Sequence, residues 1–132
     1  MASAVDFSEW VAPDLKMPLG GRTYSVPAPS VRRARKIIAA AVRAEVNLGI
    51  VKGEIPDEIT EILDTIRGVE RPGLGPVAQE MTDDDVAIET IDRMEYYAIF
   101  YWTRGKEYAD ALATVLWAPR VSAEAGAPAP KA

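Results

Sequence analysis

With 132 residues, 48% of them hydrophobic and charges spread along its length, the chain has the composition of one folded domain rather than of a disordered segment. Its formal net charge of −5 sets the summed field against phosphate backbones and anionic lipid, so neither nucleic acid nor a membrane is an expected partner. Cysteine and histidine are both missing from the sequence, which removes disulfides, thiolate metal sites and the commonest nucleophile–base pairs of hydrolytic catalysis.

The first segment, MASAVDFSEW, carries no basic stretch followed by an apolar run, and no later segment approaches the roughly 20 apolar residues of a spanning helix. A cytoplasmic protein is the expectation. Leu15, Met17 and Leu19 then alternate with Asp14, Lys16 and Pro18, and Arg22 to Val26 form a second alternation rich in strand formers. Between them Gly20-Gly21 supplies the positive φ angles of a tight primed turn, so a β-hairpin is predicted over about 15–26, with Pro27 and Pro29 stopping its second strand. A two-stranded ribbon is marginal alone and has to pack on the helices that follow.

Ser30 can cap a helix that ends at Gly49, with Ala34, Ile37, Ile38, Ala41, Val42 and Leu48 as its apolar stripe and Arg32, Lys36 and Arg43 opposite. Pro56 opens a second helix over 56–67, whose Ile59, Ile62, Leu63 and Ile66 share one buried face. Gly75-Pro76 opens a short helix through Met81. Thr82 with Asp85 resembles a capping arrangement, and Asp83 and Asp84 would complement the dipole of a third long helix running to about Trp102. Its second half, MEYYAIFYW, is apolar or aromatic almost all round and should be enclosed by other elements or covered by a partner. Thr103-Arg104-Gly105 interrupts the pattern, and a terminal helix carrying Tyr108, Ala111, Leu112, Val115 and Leu116 ends near Trp117. From Pro119 onward the chain is mainly alanine, proline and small polar residues, read as a flexible tail over 119–132. The expected architecture is a mainly α domain over 1–118: four to five helices with an N-terminal β-hairpin.

No catalytic, cofactor-binding or metal-ligating set emerges. Asp83, Asp84 and Asp85 are carboxylates, but adjacent helical residues diverge where a hard cation needs convergent oxygens, and dipole complementation accounts for them. Arg32, Arg33, Arg35 and Lys36 form the one basic cluster, read as a solvated helix face, with an interaction patch or a small DNA-binding regulator as the alternative. GLGP and LGG lack the spacing of a phosphate-cradling loop and are turns. Tyr96, Tyr97, Phe100, Tyr101 and Trp102 admit two readings, core or binding groove. If a partner is bound there, Tyr97, Tyr101 and Trp102 are the expected contacts, with Ile37 and Val42 behind them.

The order of DFSEW, LKMPLGGRTYSVPAPS and the late YYAIFYWTRGKEYADALATVLW resembles the small tail assembly chaperones of long-tailed phages that infect actinobacteria, over most of residues 5–117. The resemblance implies a non-enzymatic protein of the host cell cytoplasm, missing from the mature virion. Its partner would be the tape measure protein, a long helical chain kept soluble until tail tube subunits polymerise around it, by apolar helix surface that takes amphipathic helices reversibly. It further implies self-association and a longer product made by a programmed frameshift, for which codons at Pro130-Lys131 could form the slippery site.

Overall fold

A computed structural model describes residues 6, 11–66, 68 and 70–125. The period-two alternation folds as expected: β1 (Leu15–Leu19) and β2 (Arg22–Val26) pair antiparallel, with Leu15 opposite Val26 and Met17 opposite Tyr24. These four side chains share the buried face, while Lys16 and Pro18 point to the exposed one. Gly20, at φ +63, makes the two-residue turn that a side chain would strain.

Helix α1 (Val31–Asn47) starts where Ser30 Oγ accepts a hydrogen bond from the Arg33 amide at 3.2 Å, and the chain leaves it through Gly49 at φ +80. Its buried face is shifted from the expected stripe and takes in Ala39 and Glu45 as well. Ile37, Ala40, Ala41 and Ala44 are enclosed, but Ile38 is 50% exposed and Leu48 lies beyond the helix end. The alanines let α1 pack against both α2 (Asp57–Leu63) and α4 (Ile88–Arg104).

Helix α2 is shorter than the 56–67 expected. After Leu63 the chain tightens into three-residue turns, with the Thr65 amide donating to Ile62 O and the Thr65 hydroxyl donating to the same carbonyl at 2.6 Å. Ile59, Ile62, Leu63 and Ile66 are half-buried rather than buried, because this short helix lies along one side of α1.

Helix α3 (Val77–Asp83) follows Pro76 and buries Val77 and Met81, one turn apart. The expected cap at Thr82 to Asp85 is overturned. Thr82 and Asp83 are the last residues of α3, the Thr82 hydroxyl donates back to Ala78 O at 2.9 Å, and Asp85 turns the chain at φ +62. Helix α4 begins only at Ile88, after Ala87. The acidic run therefore sits at a helix C-terminus, where the dipole disfavours it. Charges from the hairpin compensate: Arg22 donates to Glu80 at 2.9 Å and to Asp84, and the Tyr24 hydroxyl donates to Asp84 at 2.7 Å. Tyr24→Phe is accordingly expected to lose about 1 kcal/mol of stability; an unchanged urea midpoint would count against the clasp.

Gly105, at φ +95, breaks the helix between α4 and α5 (Lys106–Ala125). The two lie antiparallel, since Tyr97 meets Asp110 while Tyr96, earlier on α4, meets Trp117, later on α5. α5 runs past the expected end near Trp117, although Pro119 offers no N–H to the helix ladder. The 118/119 boundary is thus not where the helix stops, and the rest of the expected tail, 126–132, lies outside the described residues.

Helix α4 separates two core clusters. On one side Ile91 and Ala98 pack with the hairpin, Leu74 and α3; on the other Ile99 and Phe100 pack with Ile37 and the α1 alanines and with Ala109 of α5. The fold is the mainly α domain with an N-terminal hairpin that the sequence pattern predicts, with five helices among the described residues.

Candidate functional site

The turn over 72–75 is held from three directions, and these bonds set the position of α4. Glu95, immediately before the aromatic run, is buried and accepts hydrogen bonds from the amides of Gly73 and Leu74, each at 2.9 Å. Arg33 reaches over from α1 to donate to the carbonyls of Pro72 at 2.6 Å and Pro27 at 3.0 Å. Trp102 donates its indole N–H to Gly73 O at 3.2 Å. A second joint ties α1 to the α4–α5 corner: buried Glu45 accepts from Arg104 at 2.9 and 2.7 Å and from the Tyr108 hydroxyl at 2.9 Å. Arg104's hydrogen bonds hold the Glu45 carboxyl below its ordinary range, whereas burial pushes that of Glu95 above it.

The expected contact residues divide accordingly. Tyr97, Tyr101 and Trp102 come together: Tyr101 stacks on Tyr97 with ring centres 6.4 Å apart and meets Trp102 edge-on at 5.0 Å. All three are half-buried, and each packs against both core clusters. Trp102 is committed to Gly73, and the Tyr97 hydroxyl donates to Asp110 at 2.6 Å. Burial and that hydrogen bond raise the Tyr97 pKa, so the phenol stays neutral. Ile37 is 1% exposed and belongs to the core, so it offers no contact surface. Val42 is half-buried on α1 and joins neither the aromatic group nor the two core clusters.

The basic cluster is also divided. Arg33 spends its donors on backbone carbonyls and Lys36 pairs with Glu70 at 2.7 Å, leaving Arg32 and Arg35 exposed beside a separate cleft on α1 and α2. Expected as a solvated face, the cluster is half structural. Among the described residues no three acidic side chains converge as a metal site would require. Asp83 accepts from Gln79 at 2.8 Å and Asp84 is held by the hairpin.

What the structure adds is a groove of about 590 Å³ where the hairpin, α4 and α5 meet. Met17, Pro18 and Leu19 form one wall, Met94 and Tyr97 the α4 wall, and Ala113 and Trp117 the α5 wall. Of the expected contacts, Tyr97 alone lines it. Its charged residues are Lys16, Arg93 and Lys106. Arg93 lies 5.8 Å from the centre of the Trp117 ring, Lys16 donates to Ser25 at 2.7 Å and Lys106 to Asp110 at 2.6 Å. Trp117 reads from the sequence only as the end of a helix, and the α4–α5 reversal is what brings it against Tyr96 and Arg93.

A family model described as a domain of unknown function, DUF7426, matches residues 5–132. The chain belongs to this family. No curated protein and no solved structure matches it. The family match spans the hairpin, the Glu95 and Glu45 joints and the groove-lining residues together, so the candidate site lies wholly inside the family's domain. Among the described residues no helix is long and apolar enough to cross a membrane.

Proposed function

We propose that this protein is a tail assembly chaperone that holds amphipathic helices of a phage tape measure protein until the tail tube forms around them. The observation that carries it is the groove: an apolar floor of methionine, proline and aromatic side chains between two helices and a hairpin, the shape and chemistry that take a helix by its apolar face. Methionine and half-buried aromatics suit a reversible, adaptable hold rather than a tight one. The resemblance of the hairpin and of the YWTRGKEYADA segment to the phage chaperones supports the same function. Residence in the host cytoplasm, release before the virion matures, self-association and a frameshifted longer product belong to this proposal. So does a binding rather than an enzymatic role.

Co-expression with a tape measure fragment tests it. The wild-type chain is expected to raise the soluble fraction of the fragment and to co-purify with it. Met94→Asp with Trp117→Asp, both half-buried at the groove, is expected to abolish both effects while circular dichroism still shows a cooperative helical fold. A fragment equally soluble with and without the chaperone overturns the proposal.

A further inference from the structure

We infer that the groove selects an acidic guest, an amphipathic helix whose apolar stripe is flanked by aspartate and glutamate. The inference rests on the groove being the guest site. The chain carries 20 acidic residues against 15 basic, yet the three charged side chains lining the groove are all cations and none is a carboxylate. They come from three different elements: Lys16 from β1, Arg93 from α4 and Lys106 from α5. Local sequence cannot place them together; the packing does.

Each cation keeps N–H donors for a guest, although Lys106 is ion-paired with Asp110 and its charge is partly offset there. Lys106 gives one hydrogen bond to Asp110, whose carboxylate is also engaged by Tyr97, and an ammonium has three N–H donors. Lys16 gives one to Ser25. Arg93 leans on Trp117 and stands 4.0 Å from Glu89, a contact at the outer limit of an ion pair. Lys106 and Trp117 lie eleven residues apart on α5, a rise of about 16 Å, or roughly three helical turns. A guest helix of that length can seat its apolar stripe on Met94, Tyr97 and Trp117 while carboxylates on its flanks reach cations on all three walls. A helix flanked by lysine would bring like charges together along the same path.

Fluorescence anisotropy with two designed peptides tests this. Both are about 20 residues long, enough for a stable amphipathic helix, with one identical leucine and methionine stripe, flanked by glutamate in one and lysine in the other. The glutamate peptide is expected to bind about tenfold more tightly, the sum of three partly exposed charge contacts, and to lose that advantage as salt rises. Lys16→Glu, Arg93→Glu and Lys106→Glu combined should reverse the preference. Lys16→Glu alone, on an exposed strand position, should reduce it even if the triple variant folds poorly. Equal binding of the two peptides overturns the acidic guest and leaves the groove reading standing. Failure of both to bind removes both. Sedimentation showing a dimer that Trp117→Asp dissociates assigns the groove to a second copy and likewise overturns the acidic guest.

Discussion

Arg104→Ala is expected to lower the unfolding free energy by about 2–3 kcal/mol, read as a lower urea midpoint at unchanged slope. Glu45 is the reason. Its side chain is 5% exposed, and the guanidinium supplies two of the three hydrogen bonds that satisfy its carboxylate. Without Arg104 the charge stays buried with Tyr108 as its one remaining side-chain donor. The expected loss sits at or below the bottom of the range for breaking a buried pair because Arg104 is itself 41% exposed and water can take part of its place. Glu45→Met in the Arg104→Ala background should recover most of the loss, since a buried apolar side chain leaves no charge to satisfy. A single variant as stable as the wild type, or a double variant no better than the single, would show that the joint does not hold α1 to the α4–α5 corner.

Such joints explain which parts of the fold were legible beforehand. The hairpin, the Ser30 cap, the short helix after Pro76 and the break at Gly105 are local: alternation, a glycine pair, a hydroxyl or a proline states the structure within a few residues. The acidic run was misplaced because its partner is not local. Arg22 lies 62 residues from Asp84, and nothing near Thr82 in the chain announces that the hairpin will neutralise a helix C-terminus. Glu45 and Glu95 each interrupt an apolar stretch, which signals that a partner is required without naming it; Arg104 is 59 residues from Glu45. The aromatic run is divided by the packing. Trp102 is spent on the Gly73 carbonyl and Phe100 on the core, while Tyr97 reaches the groove. The groove itself, with Trp117 and its three cations, arises only when the hairpin, α4 and α5 are packed.

Glu95→Ala is expected to cost about 3 kcal/mol, because it strands two buried backbone amides, those of Gly73 and Leu74, and opens space beneath the turn. Its pH dependence has a sign that separates it from Glu45. Burial raises the folded-state pKa of Glu95 above the ordinary 4.5, with the two amides and the charges of Arg71 and Arg33 opposing in part. The folded state then binds more protons than the unfolded state between the two values, so this group makes stability fall as pH rises from 4.5 through the raised pKa. Glu45 acts oppositely: its lowered pKa gives stability present above 4.5 and lost as pH falls through the lowered value. Glu95→Gln keeps one acceptor for the turn and removes the titration, so it should be less stable than wild type at acidic pH but lose no further stability as pH rises. The gap between the two proteins should therefore narrow as pH rises from 4.5 through the raised pKa. Urea titrations of both across that range decide the matter. A constant gap would mean that the Glu95 carboxyl titrates alike in the folded and unfolded chain, and that its two amide bonds offset the cost of burying it.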